Sequence, residues 1–253
     1  MKLHIYQDPA ELGRETARLA AAVLKRTVAE RGRARLVLST GASQFDTLEA
    51  LVSTDVPWEK VEMFHLDEYV GLPESHPASF RRYLKERFTG RVKLKRSVFV
   101  DGEGEVAAKI AALSDAIREE PVDLALVGIG ENAHIAFNDP PADFETTAAY
   151  IVVNLDPGCK LQQVREGWFP DPEAVPVQAI TMTVYQIMQS RTIIAPVPYA
   201  VKAEAVRRTL AGGVTPVIPA TMLKRHPDVT LTLDADSAAL LGDDLLRQYG
   251  AAR

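Results

Sequence analysis

Three features of the sequence predict an α/β fold: a mainly parallel, open, Rossmann-like sheet with helices on both faces, in a single domain over residues 1–253. Short apolar runs bounded by turn residues alternate with stretches of helical periodicity, as strands joined by crossover helices do. No stretch rich in Gly, Ser or Pro divides the 253 residues into halves of different composition, and that length suffices for one sizeable core. Polar residues gather directly after several apolar runs, at the edge where open α/β sheets place their ligand crevices.

The elements follow in order. A first strand is predicted at 2–6, and a long amphipathic helix at 9–31 turns Leu12, Ala17, Leu19, Ala20, Val23 and Leu24 toward the core. RLVLS at 35–39 reads as the next strand, and the polar turn Thr40-Gly41-Ala42-Ser43 opens a helix over 44–52. VEMFHL at 61–66 is a strand that runs straight into Asp67, Glu68 and Tyr69. Residues 77–88 read as a helix with Pro77 in its first turn, where the missing N–H costs nothing. DLALV at 123–127 is a buried strand ending in GIGENAHIAF, a loop whose Gly128 and Gly130 are expected to adopt backbone geometry other residues avoid. Strands at 179–184 and 191–197 flank a short helix, and a helix at 201–210 and a strand at 229–233 close the pattern.

Composition excludes several classes. With 47% hydrophobic and 25% charged residues the chain is expected to fold rather than stay disordered. A net charge of −5 with both signs scattered offers no basic stripe, so nucleic acid is not an expected partner. The single Cys159 has no internal disulfide partner, and no Cys/His spacing matches a structural zinc site. MKLHIYQDPAELGRE has no uninterrupted apolar segment of the signal-peptide kind, and no run reaches the roughly 18 apolar residues of a membrane span. A cytoplasmic protein that binds neither membrane nor nucleic acid is therefore expected.

Four segments carry candidate chemistry. Thr40 to Ser43 lies between a strand and a helix N-terminus, where free N–H groups, the helix dipole and two hydroxyls suit a phosphate; the plainer reading is an ordinary capping turn. Asp67 and Glu68 leave a strand on opposite sides, so one can face a crevice as general base while the other pairs with a cation or caps a turn; both solvated is the alternative. GIGENAHIAFNDPPADF concentrates Glu131, Asn132, His134, Asn138 and Asp139, and a carboxylate beside His134 would orient it and keep it basic for proton transfer. Lys202, in YAVKAEAVRRTL at the start of a helix, can reach a phosphate or lie solvated like Arg207 and Arg208.

Together these segments resemble the glucosamine-6-phosphate deaminase/isomerase family, whose relatives include galactosamine-6-phosphate isomerases and 6-phosphogluconolactonases. MFHLDEYVGLPESHPASF is similar to that family's segment around its proton-abstracting aspartate, and AHIAFN to the loop of its ring-opening histidine. The similarity continues through VPVQAITMTV, TPVIPATML and VTLTLDADSAALL. The resemblance implies that Asp67 moves a proton from C2 to C1 of an open-chain 2-amino sugar, giving a ketose imine that loses ammonia. It implies that His134, with Asn132 and Asp139 as partners, opens the pyranose ring, and that Thr40, Gly41, Ala42, Ser43 and Lys202 hold the 6-phosphate. Arg165 is the nearest counterpart of the family's phosphate-binding arginine. No metal or organic cofactor is implied. The expected reaction converts glucosamine 6-phosphate and water into fructose 6-phosphate and ammonia.

The chain departs from the pattern where Asn132-Ala133 replaces Asp-Gly before His134 and Asp139 replaces a Glu after it. No basic cluster stands near 150–153, so activation by a second amino-sugar phosphate is not expected. A lactonase would carry Arg and Thr where Tyr69 and Ile135 stand. A non-catalytic sugar-phosphate sensor is the reading of another class; with a strand starting at Lys2 it would act through protein partners, for want of a DNA-binding segment. Monomer, dimer and hexamer, homo-oligomers included, all stay open.

Overall fold

A computed structural model describes residues 1–251. The chain runs β1 (Lys2–Tyr6), α1 (Pro9–Arg31), β2 (Ala34–Leu38), α2 (Phe45–Val52), β3 (Val61–His65), β4 (Asp67–Tyr69), α3 (Phe80–Leu84), β5 (Arg96–Val98), α4 (Val106–Arg118) and β6 (Leu124–Leu126). It continues with β7 (Tyr150–Asn154), α5 (Pro157–Arg165), β8 (Gln178–Met182), α6 (Val184–Met188), β9 (Thr192–Val197), α7 (Ala203–Ala211), β10 (Val229–Asp234) and α8 (Asp243–Gln248). Local chemistry sets the ends of the long first helix. Asp8 accepts a hydrogen bond from Glu11 N at 2.8 Å, Pro9 fills the first position, and left-handed Gly32 (φ 75°) returns its N–H to Val28 O.

Seven strands form one parallel sheet in the order β1-β10-β9-β6-β2-β3-β5. Alternate side chains leave it on opposite sides. Leu36, Leu38, Met63, Leu124 and Leu126 pack under α1 and α2, whereas Val37, Phe64, Ala125, Ile193 and Ala195 pack under α4, α6 and α7. Helices therefore cover both faces, as predicted. The connection from β2 goes to β3 on one side, and that from β6 goes across to the β9 side. The carboxyl ends of β2 and β6 thus flank a topological switch point, where a crevice opens because successive crossovers depart in opposite directions.

Several expectations are corrected. The strand at 61–66 does not simply continue into Asp67: Leu66 N still bonds to Leu38 O in the parallel sheet, while Leu66 O accepts from Met182 N of β8. From there β4 belongs to a separate antiparallel sheet, β4-β8-β7. The strand expected at 179–184 is β8 of this second sheet and stops at Met182, because Thr183 caps α6 by accepting from Gln186 N. The helix expected at 77–88 starts only at Phe80, capped by Ser79, and passes into one π turn over Lys85–Thr89, leaving Pro77 outside. Neither Gly128 nor Gly130 has a positive φ; Gly130 is instead closely packed against His134, and Gly128 makes only ordinary contacts. β5, β7, α4, α5 and α8 were not anticipated. Among the described residues no helix is long and apolar enough to cross a membrane.

Candidate functional site

The crevice at the switch point is a cleft of about 530 Å³, open to solvent and within the range of small-ligand sites. Its floor is the β2 loop (Ser39, Thr40, Gly41, Ser43) facing the β6 loop (Gly128, Ile129, Gly130). Gly41 is in a conformation (φ 101°) that a side chain disfavours, and its carbonyl accepts from the Tyr83 hydroxyl at 3.0 Å. Ala42 does not line the cleft; its carbonyl lies 3.5 Å from the Tyr199 hydroxyl.

Lys202 reaches the cleft from the turn before α7. It is 5% exposed, and no carboxylate approaches within 4.0 Å of it among the described residues. Burial lowers its pKa, with the charges of Glu166 and Glu131 acting the other way. A buried ammonium without a partner is costly, so the position favours an anion.

Asp67 lines the opposite wall. The residue is 5% exposed, and its carboxyl accepts no hydrogen bond among the described residues. Burial, reinforced by the adjacent Glu68, raises its pKa well above the usual aspartate range. Glu68 points the other way. It accepts from Ser79 Oγ at 2.9 Å, Phe80 N at 3.2 Å and Arg81 N at 2.8 Å, capping α3, and Arg81 in turn bonds Asp101 at 2.7 Å and Glu103 at 2.8 Å. The two neighbouring carboxylates thus have separate environments, one anchored and one free.

His134 lies flat on Gly130: a methyl there would sit 2.2 Å from Cε1 and 2.3 Å from Nε2 of the ring. Its Nδ1 stands 3.0 Å from Asp139 Oδ1, off the axis of an ideal hydrogen bond but close enough for charge attraction. Asn132 Nδ2 donates to the same Asp139 oxygen at 3.2 Å, and Asn132 Oδ1 accepts from His134 N at 3.0 Å. Burial opposes the Asp139 charge, yet His134, Asn132 and Asp156 N outweigh it and hold its pKa below the usual value. Asn132 therefore supplies the donor that a carboxylate at this position would lack. Glu131 is engaged elsewhere, with Arg165.

Arg165 does not reach the cleft. Its guanidinium is more than half exposed, paired with Glu131, and outside the lining residues. The next side chain, Glu166, lines the cleft together with Gln162 and Gln163. Gln162 Nε2 donates to Glu166 Oε1 at 2.7 Å, Trp168 Nε1 to Oε2 at 3.1 Å, and Gln163 Oε1 accepts from the Tyr69 hydroxyl at 2.9 Å. This polar wall was missed from sequence, although Gln162 and Glu166 are four residues apart and so share one helix face. His134, Asp139 and Cys159 also bring one donor atom each within 4.8 Å of one another. Burial pushes the Cys159 thiol well above its usual pKa, which keeps it protonated and a poor metal ligand.

Comparison with known proteins identifies the family and the fold. A family model describing glucosamine-6-phosphate isomerases and 6-phosphogluconolactonase matches residues 7–232. Glucosamine-6-phosphate deaminases of Streptococcus sanguinis (strain SK36) and Streptococcus pneumoniae serotype 4 are 32% and 34% identical, over 90% and 88% of this chain and 95% and 94% of theirs. A monomeric glucosamine-6-phosphate deaminase superposes with a TM-score of 0.88 at 30% identity, covering 95% of this chain and all of that one. A 6-phosphogluconolactonase from Shewanella baltica OS155 shares the fold, with a TM-score of 0.76 at 20% identity over 93% of this chain and 98% of its own. The chain belongs to the glucosamine-6-phosphate isomerase/6-phosphogluconolactonase family.

Proposed function

We propose that this protein is an aldose-ketose isomerase that deaminates a 2-amino-2-deoxyhexose 6-phosphate, converting glucosamine 6-phosphate and water into fructose 6-phosphate and ammonia. The observation that carries the proposal is one cleft holding both a buried carboxyl, Asp67, and a buried ammonium, Lys202, each without a bonded partner among the described residues. A carboxyl made more basic by burial is suited to take the C2 proton of the open-chain sugar and return it to C1. The resulting imine adds water and expels ammonia. His134, fixed by Gly130, Asn132 and Asp139, is placed to move a proton at the ring oxygen. Thr40, Gly41 and Ser43 with Lys202 take the 6-phosphate, giving binding energy remote from the reacting carbons. Arg165 is left out of the phosphate site because it is turned away toward Glu131.

A lactonase reading is disfavoured by Tyr69. Where that pattern has an arginine, Tyr69 is buried among Phe80, Phe137 and Phe169 and bonded to Gln163, with no cation in its place. A reducing, cytoplasmic setting accords with a single, free, buried Cys159. The test is ammonia release from a panel of 2-amino-2-deoxyhexose 6-phosphates, with 6-phosphogluconolactone hydrolysis run beside it. Ammonia from one sugar supports the proposal and names the substrate; lactone turnover alone, or binding with no turnover, refutes it.

A further inference from the structure

Among the described residues that line the cleft, Lys202 is the only lysine or arginine, and it does not stand alone. Glu166 lines the same cleft, and its charge is the strongest of those drawing on Lys202. Glu166 is not a loose surface carboxylate. Gln162 holds Oε1 and Trp168 holds Oε2, and Gln162 is itself tied to Glu131 N at 3.2 Å, so the group cannot swing away without breaking two bonds. The charged and titratable groups around this end are Lys202, Glu131 and Arg165, with Tyr83, Tyr199, Tyr69 and the Cys159 thiol; Arg87 lies over the Phe45 ring behind Tyr83 and does not line the cleft, and Asp67 and His134 line the rest of it. Burial holds Tyr83, Tyr199, Tyr69 and Cys159 above their ordinary values, so they stay neutral. Arg165 is cancelled by Glu131. One cation and one fixed carboxylate then face the terminal group of the substrate. A phosphate dianion would be attracted by the first and repelled by the second. A phosphate carrying one proton would satisfy both, with its anionic oxygens toward Lys202 and its P–OH donating to Glu166.

We infer that Glu166 is a specificity residue that selects the singly protonated form of the substrate's phosphate, by accepting a hydrogen bond from its P–OH. This inference rests on the sugar-phosphate reading of the cleft. It names the charge state that reading leaves open. A phosphate monoester loses its second proton near pH 6, so selection of the monoanion has a thermodynamic signature. Binding must take up close to one proton per ligand at pH 7.5, and affinity must fall about tenfold per pH unit above that pKa. A sulfate ester has the same shape and one negative charge but no proton to give, so Glu166 discriminates against it.

The test is calorimetry of fructose 6-phosphate, the ketose product, and of fructose 6-sulfate, between pH 5.5 and 8.5 in two buffers of different ionisation enthalpy. Wild-type protein is expected to bind the phosphate with proton uptake and to bind the sulfate weakly, without uptake. Glu166→Gln, which can donate to a fully ionised oxygen, should lose the uptake, flatten the pH slope and bind the sulfate more tightly than wild type does. The wild-type comparison of the two esters needs no variant and stands if Glu166→Gln fails to fold. Phosphate binding without uptake overturns the inference alone. Uptake that persists with the sulfate ester also overturns it, since the proton then goes to a side chain such as Lys202 or Asp67. Absence of binding by either ester at every pH overturns both the inference and the sugar-phosphate reading.

Discussion

Gly130→Ala places one methyl group against the face of His134. The new Cβ would lie 2.2, 2.3 and 2.5 Å from Cε1, Nε2 and Cδ2, where ordinary contact begins at 3.4 Å. The backbone of the β6 loop is held by Gly130 N to His134 O and by Ala133 N to Gly130 O, so the ring, not the main chain, gives way. Restoring contact requires it to retreat by about 1 Å, a misplacement that can cost about 10²-fold in rate when it falls on a reacting group. We expect kcat/KM for ammonia release to fall about 10²-fold, or about 2.7 kcal/mol of transition-state stabilisation, with at most about 2 kcal/mol lost from folding. Initial-rate ammonia assays and urea melts on the same preparations separate the two effects. Gly128→Ala, whose nearest neighbour would be Gln44 Nε2 at 3.4 Å, should lose clearly less. A Gly130→Ala enzyme within about threefold of wild type would show that the placement of His134 on Gly130 has no bearing on turnover.

Further outcomes follow from the same geometry. Asp67→Asn should lower kcat/KM by about 10²–10⁴-fold while raising stability at neutral pH by about 1–3 kcal/mol. The sign follows from the raised pKa: the folded state favours the protonated carboxyl, so ionisation above the unfolded value weakens the fold. A variant both active and less stable contradicts this. His65 is fully buried, with neither ring nitrogen hydrogen-bonded among the described residues, and burial followed by the charge of Arg81 pulls its pKa down to about 3. A depressed histidine contributes stability that is present above about pH 6.5 and is lost as pH falls toward 3, so about 2 kcal/mol should disappear between pH 6.5 and 5. His65→Leu should remove that slope in urea titrations; an unchanged slope assigns it to other groups. Asn132→Asp should destabilise the protein by about 1–3 kcal/mol at pH 7, because it sets a carboxylate against Asp139, and the loss should shrink toward pH 4 as one of the pair takes a proton. Equal melting temperatures at both pH values would refute that.

The parallel sheet was legible because its central strands are buried on both sides and therefore read as unbroken apolar runs, as in Leu36, Val37 and Leu38. The second sheet was not. β7 is five residues of which only Tyr150 is buried, β5 is three mostly exposed residues at a sheet edge, and the turnover at Leu66 leaves no mark in composition. Asp67 and His134 stood out because each lies in a polar segment that comes after an apolar strand. The wall formed by α5 did not, since PGCKLQQVR turns polar side chains toward the cleft and so lacks an amphipathic signature. Arg165 illustrates the limit of matching by residue type. One step along a helix rotates a side chain by about 100°, so Arg165 faces out while Glu166 faces in.

The position of α5 between β7 and β8 has a consequence for how such a cleft changes over time. The loops of β2 and β6 rise from the parallel sheet, and Asp67 opens β4 two residues after β3 leaves it, so the parts placed to do chemistry are anchored close to one rigid base. Gln162, Gln163 and Glu166 hang instead on a single excursion between two neighbouring antiparallel strands. That excursion can be shortened, recharged or exchanged while the register of the seven strands beneath it stays as it is. The protein resembles a lathe with an interchangeable chuck, in which the grip on the far end of the workpiece is refitted without moving the cutting tool.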